Sequence, residues 1–148
     1  MAPTRIILIA LTLCVAGCAS PDQTIVAPNI DWDDGDSGTI NGMDFRLSDV
    51  DAPETGGVGA AIGGAKCEAE RELGNSAKAY VEKLTRGATL EVTQEYGEDN
   101  YGRMVIDLSA NGIDVGSAGL RAGMLRSWDH EGTRALEPRP RWCDGAGS

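Results

Sequence analysis

The sequence is short of several residue types on which common binding functions depend. Aromatic residues make up 5% of the 148 positions, which argues against a stacking platform of several exposed rings. It contains one histidine, His130, and four cysteines without a CxxC pair, so a zinc site is not expected. The lone histidine and the short chain also exclude a serine-protease interpretation of Gly35-Asp36-Ser37-Gly38, which would need a complete Ser-His-Asp triad and a larger fold.

Basic residues are scarce as well. Lys and Arg number 13 against 23 Asp and Glu, a formal net charge of −10, or −11 if Arg5 belongs to a cleaved leader. Binding to nucleic acid or to an anionic membrane surface is driven by basic surface, so the overall field of this chain favours neither. At this length the chain can bury one modest core. The composition therefore predicts an acidic, soluble, single-domain protein.

The N-terminal apolar run, from Ile6 to Val15, is too short to cross a membrane, which takes about 20 residues. It follows the basic Arg5, as in a secretory leader, and ends in Val-Ala-Gly-Cys, which resembles a lipobox. We therefore predict a lipoprotein signal peptide at 1–17 and an acylated Cys18 that anchors the protein to a membrane. The protein would be exported to the cell envelope, on its periplasmic or extracellular face. An ordinary secretory signal cut near Ala19 is the alternative.

The mature chain divides into a tether and one domain. Residues 18–30 are polar and contain prolines without periodicity, which predicts a lipidated N-terminus and a tether. Residues 31–148 show short strand-like runs separated by turn signals, of which Asn41-Gly42 is the strongest. This order of elements predicts an α+β fold, a small β-barrel with packed helices. We expect strands at 39–40, 43–47, 89–94 and 103–108, and helices at 68–84 and 117–125.

Two cysteines remain in the mature domain once the leader is cleaved and Cys18 is acylated. Cys67 and Cys143 are far apart in the sequence, and export would place them in an oxidising compartment, where a disulfide is the usual state. We therefore expect a Cys67–Cys143 disulfide. A pair of free, buried thiols is the alternative.

The segment FRLSDVDAPET carries the most chemical information. Arg46 ends a strand, and Asp51 and Glu54 follow on a turn whose proline restricts the backbone. Two carboxylates and a guanidinium held with little freedom could bind a hard cation and a phosphate together. A second arginine, Arg103, lies on the tight turn of the segment DNYGR.

Other features leave alternatives open. Four aspartates between residues 31 and 36 form either a solvated acidic turn or part of a cation site, since clustered carboxylates repel one another. Five arginines between residues 121 and 141 form either a positive wall beside an acidic pocket or scattered surface charge. Trp128 either stacks on a base or packs as a core or interface ring. The uncharged segment 56–65 lacks the GxxxxGK[ST] register and is expected to be a flexible loop.

Four short motifs occur in a recognisable order. They are Asp34-Gly35-Asp36 before a hairpin, R-x4-D-x-P-E-T, an acidic turn ending in Tyr-Gly-Arg, and Leu-Arg-Ala-Gly-Met at 120–124. Together, over about residues 34–126, they resemble the staphylococcal nuclease family of secreted or anchored thermonucleases. The resemblance implies a five-stranded OB-fold barrel with packed helices. It also implies a Ca²⁺-dependent nuclease that hydrolyses phosphodiester bonds of DNA, with RNA as a second candidate substrate.

The resemblance implies metal ligands and a residue that acts on water. The Ca²⁺ ligands would be Asp36, Asp51 and the backbone carbonyl of Ala52. Glu54 would orient, and accept a proton from, the attacking water, for which it must lie within hydrogen-bond reach of that water. A divalent ion beside it would polarise the phosphorus centre.

The resemblance also implies groups that bind the substrate. Arg46 and Arg103 would grip the scissile phosphate, and Tyr101 would contact a nucleotide phosphate. Three departures from the family pattern affect substrate affinity more than chemistry. Asn100 stands where a lysine is usual, the basic loop after Pro-Glu-Thr is replaced by glycines, and the C-terminal helix is missing.

The enzyme would act as a monomer. A non-catalytic OB-fold lipoprotein that binds a ligand or an envelope partner is the alternative. The presence of every catalytic and metal-binding side chain that the resemblance requires favours the enzyme; these are Asp36, Arg46, Asp51, Glu54 and Arg103.

Overall fold

The computed structural model describes residues 24–25 and 29–143. The predicted signal peptide, Cys18 and most of the tether lie outside the described residues. The described part is a mixed sheet with two helices, α1 (Glu68–Thr85) and α2 (Val115–Arg121). Its strands, in chain order, are β1 (Thr24–Ile25), β2 (Ile30–Trp32), β3 (Ser37–Ile40), β4 (Met43–Leu47), β5 (Val50–Asp51), β6 (Leu90–Glu98), β7 (Met104–Ala110), β8 (Ile113–Asp114), β9 (Arg126–Ser127), β10 (His130–Glu131) and β11 (Arg134–Ala135).

The main sheet has the order β1-β6-β7-β4-β3-β2, and β8 pairs with the C-terminal end of β7. β4 and β7 run parallel, with Phe45 beside Met104, whereas the other pairs in this sheet are antiparallel. The α+β class and the OB type of the fold are confirmed. The strand count differs from the expected five-stranded barrel, because the described residues form an open sheet of seven strands.

The β3–β4 hairpin is confirmed, and it fixes the relative positions of two predicted site residues. Asn41 and Gly42 both have positive φ, 51° and 82°, as a two-residue type I′ turn requires. This turn pairs Ser37 with Arg46. Asp36, which immediately precedes β3, is therefore brought next to Arg46.

The hydrophobic core includes a contact between the sheet and α1. Trp32 and Phe45 pack edge to face with ring centroids 5.1 Å apart, and both are almost fully buried. The indole N–H of Trp32 donates a hydrogen bond to the hydroxyl of Thr85 in α1 (3.1 Å). Each large apolar side chain buried in this way contributes roughly 1.5–3 kcal/mol to stability.

Helix α1 packs small residues against the sheet. It buries Gly74, Ala77 and Val81 along one face, and the apolar spacing predicts its C-terminus to within one residue. Gly87 then adopts a φ of 70°, which the helix end requires. Because the buried residues are small, the helix approaches the sheet closely, and a Cβ at Gly35 would lie 2.8 Å from Ala77.

Helix α2 is shorter than the expected helix at 117–125. Asp114 caps its first turn by accepting a backbone hydrogen bond of 2.7 Å, and the helix ends at Arg121. Gly123 has a φ of 69°, which favours glycine and turns the chain back. Leu125 therefore enters the core instead of extending the helix.

Parts of the expected tether belong to the sheet. Thr24–Ile25 pairs with β6, and Ile30 is the first residue of β2. Strands of two or three residues have too few positions to show a periodic pattern, so the sequence does not reveal them. The expected strands at 89–94 and 103–108 are likewise longer in the structure, as β6 and β7.

The Cys67–Cys143 disulfide is confirmed, with Cα atoms 6.1 Å apart. Cys67 immediately precedes α1, so the bond ties residues 138–143, the C-terminal strap, to the N-terminus of this helix. The cysteines are 76 residues apart in the sequence. In the chain-entropy model a loop of this length stabilises the fold by about 4–5 kcal/mol.

Gly74→Ala tests the contact between α1 and the turn at Pro53 and Glu54. A Cβ at residue 74 would come within 3.0 Å of the main-chain oxygens of both turn residues, so the helix or the turn would have to move. We expect a loss of about 1–3 kcal/mol in urea denaturation, although this substitution normally stabilises a helix by about 1 kcal/mol. Gly116→Ala in α2 is the matched control, because its Cβ would lie an ordinary 3.5 Å from Val50. An equal gain in stability in both variants would contradict the close contact between Gly74 and the turn.

Candidate active site

The turn from Asp51 to Glu54 is held from two sides. Asp51 belongs to β5, which pairs with β9, and α1 packs through Gly74 against the main-chain oxygen of Glu54. Pro53 restricts the backbone between them. Asp51 and Ala52 are each only 1% exposed. The turn is therefore a rigid, buried support for the side chains that it carries.

The acidic cluster before β3 is divided between two roles. Asp34 caps the local turn, because its Oδ1 accepts hydrogen bonds from the N–H groups of Asp36 (2.9 Å) and Ser37 (2.8 Å). Asp36 points inward: its Oδ2 accepts a hydrogen bond from the N–H of Ala52 (2.8 Å) and lies 3.8 Å from Nη2 of Arg46. The cluster is therefore neither wholly a solvated turn nor wholly a cation site. Asp34 stabilises the turn, and Asp36 lies at the candidate site.

Arg139 of the C-terminal strap joins three of the groups that the sequence singles out. Its Nε donates to Asp51 Oδ1 (2.6 Å), its Nη1 to Glu54 Oε1 (2.6 Å) and its Nη2 to the carbonyl oxygen of Ala52 (2.9 Å). The structure thus brings Asp51, Ala52 and Glu54 together around one positive charge. We call these three residues, together with Asp36, whose carboxylate accepts a hydrogen bond from the N–H of Ala52, the cation pocket.

Trp142 completes the contact between the strap and the pocket. It is 5% exposed, and its indole N–H donates a hydrogen bond to Asp51 Oδ2 (2.7 Å). The guanidinium of Arg126 lies over the indole ring, 4.3 Å from its centroid. Both carboxylate oxygens of Asp51 are therefore occupied, Oδ1 by Arg139 and Oδ2 by Trp142.

The electrostatics of the pocket are set by burial. Desolvation raises the pKa of Asp36 well above its ordinary value, and neighbouring aspartates raise it further, while Arg46 offsets only part of the effect. Desolvation also raises the pKa of Asp51 despite the charge of Arg139. Burial alone would lower the pKa of Arg139, but the Asp51 charge and the hydrogen bonds to Asp51 and Glu54 raise it, so Arg139 stays charged. The pocket therefore favours more positive charge than its own arginines supply.

Arg46 is fixed on three sides. Its Nη2 donates to the carbonyl oxygen of Val50 (3.0 Å), its guanidinium lies 4.5 Å from the Trp128 ring centroid, and its Nη1 lies 3.4 Å from Nε2 of His130. His130 Nδ1 lies 2.6 Å from the carbonyl oxygen of Trp128. This contact assigns the proton to Nδ1 and leaves Nε2 as an acceptor for Arg46. Trp128 thus packs on the Arg46 guanidinium and is half-buried, so it is not a core ring.

Arg103 and Tyr101 lie together on the turn before β7. Arg103 donates two hydrogen bonds to Asp99 Oδ2, from Nε (2.9 Å) and Nη2 (2.8 Å), and lies over the exposed ring of Tyr101. Burial would raise the pKa of Asp99, but the hydrogen bonds from Arg103 and from backbone N–H groups lower it. The parallel register pairs Arg46 with Val105, so Arg103 lies two residues before the strand neighbour of Arg46.

The arginine-rich segment 121–141 is neither a continuous positive wall nor a set of scattered charges. Arg139 enters the cation pocket, Arg126 lies on Trp142, and Arg134 pairs with Glu131 at the surface. The segment therefore contributes one cation to the site rather than a charged surface beside it.

Sequence reasoning missed Arg139, Trp142 and His130 as site residues. The predicted disulfide is the signal that could have found the first two, because a bond from Cys143 to the start of α1 brings the strap near the turn that α1 supports. The position of His130 follows from a hydrogen bond of 2.8 Å between its N–H and Asp49 Oδ1. No local pattern predicts that contact.

Asp36→Asn tests the cost of burying this carboxylate. Because the pKa of Asp36 is raised in the folded state, the wild type loses stability as the pH rises from about 4 towards neutrality. In a chelator at pH 7 we expect the variant to be more stable by on the order of 1 kcal/mol or more, and we expect the gain to shrink near pH 4. Thermal unfolding across this pH range measures the difference in stability. Asp44→Asn, at an exposed position, is the control and should change the stability little. A less stable Asp36→Asn protein at pH 7 would contradict the assignment.

Comparison with known proteins identifies the family of the chain. The model of the family described as staphylococcal nuclease homologue matches residues 44–137. No curated protein sequence matches the chain significantly. The matched region contains Arg46, Asp51, Glu54 and Arg103, whereas Arg139 lies beyond its end. Since the match covers more than half of the sequence, the chain belongs to the staphylococcal nuclease homologue family.

Proposed function

We propose that the protein is a calcium-dependent nuclease that hydrolyses phosphodiester bonds of DNA, with RNA as a second substrate class. The observation that carries the proposal is that oxygens of Asp51, Ala52 and Glu54 converge on one positive group, the guanidinium of Arg139. Buried Asp36 lies on the other side of Ala52, within reach of Arg46. Family membership supports a nuclease or nucleic-acid-binding function.

The donor atoms of the pocket fit Ca²⁺. This ion prefers carboxylate and carbonyl oxygens, which Asp36, Asp51 and the carbonyl of Ala52 supply. The raised pKa of Asp36 supports the assignment, because burial deprives this carboxylate of solvation that a bound cation would replace. A bound calcium ion would polarise the scissile phosphate and stabilise the charge that develops on its oxygens.

Glu54 is the residue that we assign to the attacking water. Its side chain is 19% exposed, so water can reach a carboxylate that is otherwise fixed by the buried turn. In this role Glu54 accepts a hydrogen bond from the water, aims its oxygen at phosphorus and takes up the proton as the new P–O bond forms. The ester P–O bond on the opposite side of phosphorus breaks, and the leaving sugar oxygen takes a proton from solvent. The close approach of α1 at Gly74 keeps the backbone of Glu54 in place for this task.

Arg46 and Arg103 are assigned to the phosphate. Arg46 is already oriented by Val50 and Trp128, so it can donate hydrogen bonds without losing further freedom. Arg103 lies on the turn just before the strand that neighbours Arg46, and its hydrogen bonds to Asp99 keep it oriented. Two guanidinium forks match the geometry of phosphate oxygens, which a lysine cannot reproduce. Tyr101, 84% exposed, would contact a neighbouring nucleotide phosphate in a monomeric enzyme.

A second candidate function has one observation in its favour. Arg139 occupies the oxygens that a catalytic metal would need. If Arg139 is a permanent substitute for the metal, the domain is a non-catalytic OB-fold module that binds a ligand or an envelope partner. The nuclease is favoured because the chain keeps Asp36, Arg46 and Arg103, which a binding module that replaced its metal with Arg139 would not need.

We further propose that the protein is exported and held at the cell envelope, on its periplasmic or extracellular face, by acyl chains on Cys18. The lipobox-like Val-Ala-Gly-Cys segment supports this proposal, and so does the disulfide, which forms in oxidising compartments. Among the described residues no helix is both long and apolar enough to cross a membrane. Several acyl chains on one residue give stable anchoring.

The nuclease proposal predicts that calcium supports cleavage of single-stranded DNA and that EDTA abolishes it reversibly. Glu54→Gln should lower the cleavage rate by about 10²–10⁴-fold, because it removes the base without changing the shape of the side chain. Glu72→Gln, an exposed substitution on α1, is the control and should leave the rate unchanged. A folded wild-type protein that cleaves neither DNA nor RNA with calcium would exclude the nuclease and favour the binding module.

Cys18→Ser tests the anchor. In cells, the wild type should sediment with membranes and incorporate a labelled fatty acid, whereas the variant should do neither. Cys14→Ser is the matched control, because Cys14 belongs to the segment that would be removed. Equal labelling of the Cys18→Ser protein and the wild type would contradict the lipoprotein assignment.

A further inference from the structure

We propose that Arg139 is an internal cation that competes with calcium for the pocket and so sets the calcium concentration at which the site becomes competent. The inference rests on the proposed function and adds a regulator to it. The three oxygens that receive the guanidinium belong to two assigned calcium ligands, Asp51 and Ala52, and to the assigned base, Glu54. With Arg139 in place, a calcium ion cannot take the position between these oxygens that the guanidinium fills.

The charge balance of the pocket favours exchange of Arg139 for a divalent ion. When all three are ionised, Asp36, Asp51 and Glu54 carry three negative charges, against two positive charges from Arg46 and Arg139. Replacing the guanidinium with Ca²⁺ would bring the sum to zero. Arg139 therefore neutralises part of the negative charge when no metal is bound. A calcium ion, with twice the charge, would neutralise all of it.

The strap holds Arg139 in place while allowing its side chain to leave. Pro138 and Pro140 flank the arginine and restrict the backbone. Trp142 is anchored on Asp51 Oδ2, and the disulfide fixes the end of the strap. The Arg139 side chain is 33% exposed, so it can rotate into solvent without movement of these anchors. The indole bond to Oδ2 then remains, and Oδ1 of Asp51 becomes available to the ion.

The first experiment measures calcium binding by titration calorimetry, together with the calcium-induced rise in melting temperature. Arg139→Gln should lower the apparent Kd for calcium by about tenfold or more, because the binding-competent fraction of the protein rises to one. The apparent Kd of Arg139→Lys should lie between those of Arg139→Gln and the wild type, because an ammonium keeps the charge and loses the three hydrogen bonds of the guanidinium.

Arg126→Gln is the matched control. It removes a positive charge from a residue that pairs with Asp51 across β5 and β9, but its side chain lies on Trp142 and not in the pocket. Its calcium affinity should change by less than about threefold, because the lost charge lies outside the pocket on an exposed side chain and is screened by solvent. If Arg139→Gln binds calcium no more tightly than Arg126→Gln, the competition is overturned.

A second measurement uses the wild-type protein and needs no variant to fold. The Nε–H of Arg139 should exchange slowly with solvent in EDTA, because it is bonded to Asp51, and should lose this protection when calcium is added. A signal that stays protected at saturating calcium would overturn the proposal. So would a failure of wild type and Arg139→Gln alike to bind calcium.

The outcomes separate the two proposals. Tighter calcium binding by Arg139→Gln without cleavage of DNA or RNA by any variant would support the competition and exclude the nuclease. Calcium-dependent cleavage with an equal calcium requirement in wild type and Arg139→Gln would support the nuclease and overturn the competition.

Discussion

The burial of Asp36 and Asp51 in one pocket is the constraint on which this site depends. Each carboxylate is almost entirely removed from water, and a buried carboxylate is costly unless it is paired and hydrogen-bonded. The groups that stabilise these carboxylates come from different parts of the chain: Arg46 lies beside Asp36, and Arg139 and the indole of Trp142 donate hydrogen bonds to Asp51. The strap and its disulfide are thus parts of the electrostatic balance of the site as much as of the fold.

The elements that sequence predicts well are those whose causes are local. The hairpin at Asn41-Gly42 needs only two residues with positive φ, and α1 follows from its own apolar spacing. The site turn is similar, because its proline and its spacing of carboxylates act within a few residues. Residues Asp51, Ala52 and Glu54 do come together in the structure as the sequence indicates.

The remaining features depend on contacts between distant segments. In the sequence Arg139 is indistinguishable from a surface arginine, and the disulfide brings its segment to the pocket. The backbone N–H of His130 is likewise bound by Asp49, which lies far from it in the sequence. The seven-stranded sheet also includes the two-residue β1, which has no periodicity to detect. In each case the partner lies far away in sequence, and no local propensity reports it.

The acidic surface has a consequence for diffusional encounter. Under the proposed function the substrate is a polyanion, which a protein of net charge −10 repels at long range. The site arginines offset this repulsion only at short range, since Arg46 is 9% exposed and Arg103 is held by Asp99. Dissolved salt screens the long-range repulsion before it weakens these close contacts. Encounter is therefore faster as ionic strength rises from low values, the reverse of the behaviour of a basic nucleic-acid-binding protein.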